Sequence, residues 1–202
     1  MPGIDLLISR DLSMEIKTNM DKNILKKLEK ELFFENGMSI KLSIENFKKF
    51  HDTFKKFSSI EIEKFEKDCV NKIIKISESK NNYNIEIINQ KLAEKIFSFY
   101  GDSETRAILL CIMGQSQTVS EIQKKTGILK SPTYRKIEQL LIDGLILESV
   151  KILKNNKRVS KYSCIFEEVH TIIGEKRLKL EGIVNAKIFN ESSIAKSGLF
   201  DI

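Results

Sequence analysis

Apolar residues recur every three or four positions in the N-terminal part of the chain, which is the spacing of amphipathic helices. Residues 6–17 are mixed and fit either short strands or a frayed helix. In the next segment, Asp21 is placed to cap a helix and Gly37 to terminate it. The apolar face of this predicted helix consists of Ile24, Leu25, Leu28, Leu32 and Phe33.

A phenylalanine stripe marks the following helix, for which Ser43 is the predicted cap. The stripe consists of Ile44, Phe47, Phe50, Phe54 and Phe57. Aromatic residues at helical spacing indicate a core or a helix–helix seam rather than a ligand site. A third predicted helix carries Ile62, Phe65, Cys69, Ile73 and Ile76. Three such helices can pack on one another or against a second subunit, and the sequence leaves both open.

A polar stretch, residues 77–84, separates these helices from the second half. It is the best candidate for a linker or an exposed loop. Ile85, Ile87 and Ile88 then predict a short strand. Asn89 is placed to cap the next helix, which we expect to end at Gly101.

The second half has a well-marked order of elements. A helix begins at Asp102 or Ser103, and a shorter one begins at Ser120, which has capping-box spacing with Gln123, and ends at Gly127. Ser131 is the predicted cap of the following helix, with Pro132 in its first position and Gly144 at its end.

The period of the pattern then changes to that of strands. Residues 145–153 predict one strand, Asn155 and Asn156 a hairpin tip, and residues 159–173 the returning strand. Residues 166–173 and 177–184 also fit a hairpin around Gly174, which either extends this sheet or contacts another subunit.

The segment VSEIQKKTGILKSPTYRKIEQLLIDGLI, residues 119–146, resembles the helix-turn-helix of archaeal and bacterial winged-helix regulators of the ArsR, MarR and TrmB type. The matching features are Gly127 in the turn, Ser131 before Thr133-Tyr134-Arg135, and Gly144-Leu145-Ile146 leading into the wing. The resemblance covers residues 102–167, about a third of the chain, and implies the fold and DNA binding. The cysteine motif of the metal-sensing ArsR-type proteins is absent from the motif helix, so metal sensing is not implied.

We therefore expect a mainly α fold with a small antiparallel sheet, in which an N-terminal helical domain precedes a C-terminal winged helix-turn-helix. Residues 1–84 form the helical domain, for dimerisation or signal input. Residues 85–184 form the winged helix with a C-terminal β-hairpin, and residues 185–202 form a flexible tail.

Positive charge is concentrated in the same segment. Residues 120–161 contain ten Lys or Arg and four acidic residues, which accounts for the whole net charge of +6. The remainder of the chain has 24 basic and 24 acidic residues. Confinement of the excess to one segment favours a polyanion partner.

The resemblance makes residues 131–143 the recognition helix, which would enter the major groove, and residues 151–161 a basic wing on the backbone or minor groove. Arg135 is suited to a bidentate contact with guanine, and Ser131 or Thr133 to a phosphate or a thymine methyl. Ser131 serves equally well as a cap alone, and Tyr134 is expected to be partly core. The candidate DNA contacts are Lys130, Ser131, Thr133, Tyr134, Arg135, Lys136, Gln139, Lys154, Lys157, Arg158 and Lys161.

Other kinds of chemistry find little support. Cys69, Cys111 and Cys164 are widely spaced, and no phosphate-loop, dinucleotide, nucleophile-elbow or zinc-protease motif occurs. We expect no catalytic activity, no metal and no cofactor. No apolar run reaches the length of a membrane helix, and the odd, scattered cysteines fit a cytoplasmic protein.

These observations predict a sequence-specific transcription regulator that binds double-stranded DNA as a homodimer. A small-molecule or protein effector is left open. The alternative is a winged-helix protein-interaction module within a larger assembly, without direct reading of DNA.

Overall fold

The N-terminal part of the chain is helical in the computed structural model, which describes residues 3–57, 61–79, 81–154, 157–175 and 177–200. Of residues 150–154 and 157 it describes the backbone alone. The helices are α1 (Asp5–Asn19), α2 (Lys22–Asn36), α3 (Ile40–Ile44), α4 (Phe47–Phe54) and α5 (Ile62–Asn71).

Helix α1 settles the open assignment of residues 6–17. Its inward face carries Leu7, Ile8, Leu12 and Ile16, all buried, and it packs against α3 and α5. The predicted caps of α2 are also present, because the Asp21 carboxylate accepts the N–H groups of two residues and Gly37 takes a left-handed conformation.

The phenylalanine stripe lies in the core, as predicted. Phe47, Phe50 and Phe54 are all buried on α4, with neighbouring ring centroids 5.6 and 5.8 Å apart. The predicted cap was wrong, because Ser43 lies inside α3 and donates its buried hydroxyl to the Ile40 carbonyl. The segment therefore forms two short helices instead of one.

The predicted linker is a β-hairpin. Strands β1 (Ile74–Ser79) and β2 (Asn82–Ile87) pair antiparallel, so Ile76 lies in a strand and not in the third helix. Buried Ile74, Ile85 and Ile87 hold the hairpin to the core, while its polar side chains stay at the surface. The predicted domain boundary after residue 84 falls inside β2.

The remaining helices and strands follow the predicted order closely. They are α6 (Gln90–Gly101), α7 (Ser103–Ile112), β3 (Gln117–Thr118), α8 (Val119–Thr126), α9 (Lys130–Ile142), β4 (Ile146–Lys154), β5 (Lys157–Cys164), β6 (Phe166–Ile173), β7 (Leu178–Asn185) and α10 (Ala186–Glu191), followed by a 3-10 helix, Ala195–Ser197.

The strands form two antiparallel sheets, with the orders β1-β2-β7-β6 and β3-β5-β4. The single strand predicted over residues 159–173 is divided at Ile165, and its halves belong to different sheets. The hairpin of β6 and β7 forms as predicted, but it joins β2 and does not extend the wing sheet. The phenyl ring of Phe166 occupies the space that a side chain at Gly182 would need, which fixes the β6–β7 contact. The chain is thus mainly α with small antiparallel sheets, as the sequence predicts.

Residues 185–200 are folded onto the protein, so the prediction of a flexible tail was wrong for them. Phe189, Ile194 and Leu199 are buried, and the ring of Phe189 stacks on that of Tyr83 at 4.0 Å. The apolar side chains of this segment are scattered among polar ones, so the sequence showed no helical or strand period there. In the structure they are nevertheless buried against the rest of the protein.

A buried carboxylate fastens this segment to α1. Asp5 is 1% exposed and accepts the backbone N–H groups of Ser193 at 2.6 Å and Ile194 at 3.1 Å. Burial raises the pKa of Asp5 to about 6, although the two backbone hydrogen bonds lower it. The first residue of the N-terminal helix thereby holds residues close to the other end of the chain.

The start of α1 also touches the turn that follows α9. Gly144 has a φ of 71°, and a Cβ there would lie only 2.6 Å from the carbonyl carbon of Leu6. An ion pair between Lys95 of α6 and Asp143 lies at the same end of α9. The start of α1 therefore packs directly on the turn at the end of α9.

Candidate nucleic-acid interface

Helices α8 and α9 and the turn between them lie where the sequence predicts two helices joined by a turn. The residues at their N-cap positions differ from the predicted ones. A capping box joins Thr118 and Glu121, two residues earlier than predicted at Ser120 and Gln123. Helix α8 ends at Gly127, whose φ of 71° opens the turn. Because the turn is short, the N-terminus of α9 lies at the corner between the two helices.

The N-terminus of α9 has no side-chain cap. The cap position is Leu129, so Ser131 lies inside the first turn and is not the cap that the sequence predicts. Backbone N–H groups at an uncapped helix start can bind a phosphate oxygen. The hydroxyl of Ser131 is exposed at this end.

The wing is the hairpin of β4 and β5, and β3 completes its sheet. A bulge lies at Ser149, whose hydroxyl donates to the Lys161 carbonyl at 3.2 Å. Lys154 and Lys157 face each other across the end of the hairpin. Asn155 and Asn156, the predicted tip, lie outside the described residues, as do the side chains of Lys154 and Lys157.

Two of the candidate DNA contacts on α9 point into the protein and therefore do not belong to the interface. Thr133 is fully buried and donates its hydroxyl to the Leu129 carbonyl at 2.9 Å. The Lys136 ammonium lies 2.6 Å from Asp102 and 3.5 Å from Glu104, and its side chain is only 17% exposed. Hydrogen bonds from Lys136, above all, hold the pKa of Asp102 well below its usual range. Lys136 therefore stabilises the packing of α9 on α7, and Thr133 the first turn of α9.

The remaining candidates on α9 lie on its outer side. Lys130, Ser131 and Arg135 are exposed, and Tyr134 is 50% exposed, so the expectation that Tyr134 is partly core was wrong. Gln139 is also exposed, but its amide donates to Asp143 at 2.6 Å. The exposed positions near the helix start are adjacent or one turn apart, so they share one face.

The structure adds two lysines that the sequence reasoning left out. Lys124 and Lys125 lie in the last turn of α8 and are exposed. Their place at the end of the first motif helix, just before the turn, was the signal that could have identified them. Of the wing residues with described side chains, Arg158 is exposed and Lys161 is half-buried.

Apart from Lys136, the cations of this region whose side chains are described form no ion pair. Elsewhere, Lys17, Lys56, Lys72 and Lys179 form ion pairs with glutamates. Within the part of the chain that the structure describes, no ion pair or side-chain hydrogen bond involves the cations of α8, the outer face of α9 or β5. These are Lys124, Lys125, Lys130, Arg135, Arg158 and Lys161.

The side chains that could ligate a metal, and the cysteines, are dispersed over the described residues. No group of three or more His, Cys, Asp or Glu side chains there could hold a metal ion. Cys69 and Cys164 are buried, and burial raises the pKa of the Cys164 thiol to about 11. Among the described helices, none combines the length and the apolar character needed to span a membrane.

No protein-family model, curated protein or solved structure matches this chain.

Proposed function

We propose that this chain is a transcription regulator that binds double-stranded DNA, with α9 in the major groove and the wing on the adjacent backbone or minor groove. The observation that carries the proposal is the uncompensated cationic surface around the uncapped start of α9. Cations without internal partners are free to replace the counterions of a phosphate backbone.

The geometry of α9 supports reading of bases as well as binding of phosphates. The N-terminal residues of a recognition helix meet the base edges, and Arg135 lies one turn inside α9 with an exposed side chain. A guanidinium can make two parallel hydrogen bonds to guanine, whereas the lysine ammonium groups around it act as point charges. Arg135 is therefore assigned to specificity and the lysines to affinity.

A homodimer completes the proposal. A twofold axis would place two α9 helices about 34 Å apart, which is one turn of DNA. Selection from a random duplex pool tests this directly, because a dimer enriches two inverted half-sites whose centres are about 10 base pairs apart.

Arg135→Ala is expected to weaken binding to the selected duplex about 10- to 100-fold and to leave binding to unrelated duplexes nearly unchanged. The loss is specific because one base contact is removed while the phosphate contacts remain. Fluorescence anisotropy with both duplexes measures the difference. Arg177→Ala, which removes an exposed arginine outside the motif, is the matched control. An equal loss on both duplexes would contradict base reading by Arg135.

A second candidate function is binding of a protein partner, and exposed apolar surface at the same place favours it. Leu129 is 77% exposed beside the half-exposed Tyr134. A protein partner docked there would be lost on Leu129→Ala, which removes apolar surface without adding a helix cap, and kept through Arg135→Ala. If the partner is DNA, Arg135→Ala should weaken its binding more than the Leu129 variant does.

A further inference from the structure

A cleft of about 470 Å³ lies between α4 and the C-terminal segment, in the N-terminal half of the protein. This volume is in the range of small-molecule sites. Its walls come from two distant parts of the sequence, with Lys48, His51 and Asp52 on one side and Ser193 and Lys196 on the other.

The cleft is predominantly cationic. Lys48 and Lys196 are exposed lining residues on opposite walls, the Lys196 ammonium lies 3.4 Å from the Glu191 carbonyl oxygen, and Asp52 is the one carboxylate among the described lining residues. Neither lysine forms an ion pair within the described residues. The charge of a phosphate approaches −2 at neutral pH. A ligand that carries a phosphate therefore suits two lysines on opposite walls better than a ligand that carries a single carboxylate.

His51 is fixed in the wall by a buried carboxylate. Its Nδ1 lies 2.8 Å from Oε2 of Glu66, which is 1% exposed. The other carboxylate oxygen, Oε1, is buried and has no hydrogen-bond partner. Burial raises the pKa of Glu66, and the hydrogen bond with His51 opposes that rise. With Nδ1 engaged, Nε2 is the ring nitrogen left for a ligand.

Hydroxyl and amide groups and the Asp52 carboxylate line the remainder of the cleft. The Ser193 hydroxyl accepts the N–H of Phe47 at 2.7 Å and keeps its own proton to donate. Asn46 adds an amide, and Asp52 can accept from a hydroxyl group. These groups match a ligand that carries hydroxyls beside its anionic group.

We propose that this cleft binds a small hydroxylated phosphate ester, with Lys48, Lys196 and His51 on the phosphate and Asp52 and Asn46 on the hydroxyls. The site belongs to the full chain, because its two walls come from α4 and from residues 193–197.

The cleft is joined to the recognition helix through packed backbone. Asp5 binds the N–H of Ser193, and the next two residues, Leu6 and Leu7, press on Gly144 at the end of α9. A ligand that moves Ser193 would therefore act on α1 and, through it, on α9. This regulatory consequence rests on the proposed DNA-binding function, whereas the binding site itself does not.

Titration of the full-length protein with glycerol 3-phosphate, inorganic phosphate and glycerol tests the site in the absence of DNA. The chain has two histidines, so a His170→Asn variant assigns the His51 ring signals in a nuclear magnetic resonance spectrum. We expect saturable shifts of the His51 signals with glycerol 3-phosphate, weaker binding of inorganic phosphate and no response to glycerol. The Lys48→Gln/Lys196→Gln variant should bind glycerol 3-phosphate at least about 10-fold more weakly.

Lys26→Gln/Lys27→Gln is the control, because it removes the same charge from exposed positions on α2. The proposal is overturned if glycerol 3-phosphate gives no saturable shift at about 10 mM. It is equally overturned if the Lys48/Lys196 and Lys26/Lys27 variants lose the same affinity, since the anion would then bind by net charge alone. Repeating a DNA titration with saturating glycerol 3-phosphate tests regulation separately. An unchanged DNA affinity removes the regulatory consequence and leaves the site.

Discussion

Gly144→Ala is expected to lower the free energy of unfolding by about 3 kcal/mol or more. Two effects combine at this position. The φ of 71° is unfavourable for alanine, and the new Cβ would lie 2.6 Å from the carbonyl carbon of Leu6 and 2.7 Å from Cα of Leu7. The neighbouring atoms are backbone, so α1 must move away from the end of α9. Urea denaturation measures the loss.

Gly127→Ala is a closely matched control for that measurement. Gly127 also ends a helix at a φ of 71°, but a Cβ there would meet nothing within 4 Å. Alanine should cost about 1 kcal/mol at this site, from backbone conformation alone. Equal losses in the two variants would show that α1 does not pack against Gly144 in solution.

Asp5→Ala is expected to cost about 3 kcal/mol and to release the C-terminal segment. The substitution leaves two N–H groups without their acceptor, and one of them belongs to Ile194, which is fully buried. Limited proteolysis should cut the variant within residues 190–200 faster than the parent, since the segment loses its fastening to α1. Urea denaturation gives the change in stability.

Asp21→Ala provides the comparison for this second variant. Asp21 also accepts two backbone N–H groups, at 2.8 and 3.1 Å, but it does so at the exposed start of α2. Water replaces the lost acceptor there, so the expected cost is about 1 kcal/mol. If the two aspartates prove equally costly to remove, the burial of Asp5 is not what makes its hydrogen bonds important.

The order of the helices and some of their ends could be predicted from the sequence, because those signals are local. Asp21, Gly37 and Asn89 act within a few residues of where they stand, and each occupies its predicted cap. Strand pairing was harder, because β2 pairs with β7, about a hundred residues later in the chain. The hairpin of β1 and β2 is polar on its outer side, so its sequence has the composition of a loop.

The candidate interface could be predicted as a region but not residue by residue. The confined charge and the capped helices identified residues 119–161. Which side of α9 faces outward depends on contacts that the pattern does not show, because Asp102 at the start of α7 draws Lys136 inward and the Leu129 carbonyl holds the buried Thr133 hydroxyl. A polar side chain with a partner in another helix cannot be distinguished from a surface residue by type alone.

Binding of the full-length protein to a mixed-sequence duplex pool, measured at increasing salt concentration, tests the central claim most directly. The five cations without internal partners that remain when Arg135 is assigned to the bases predict that log K falls with log salt at a slope of about −4.5 for each protomer. Arg158→Ala/Lys161→Ala should make the slope shallower by about 2. Binding no stronger than that of an unrelated protein of charge +6, or a slope that this variant leaves unchanged, would contradict DNA binding by the helix-turn-helix and its wing.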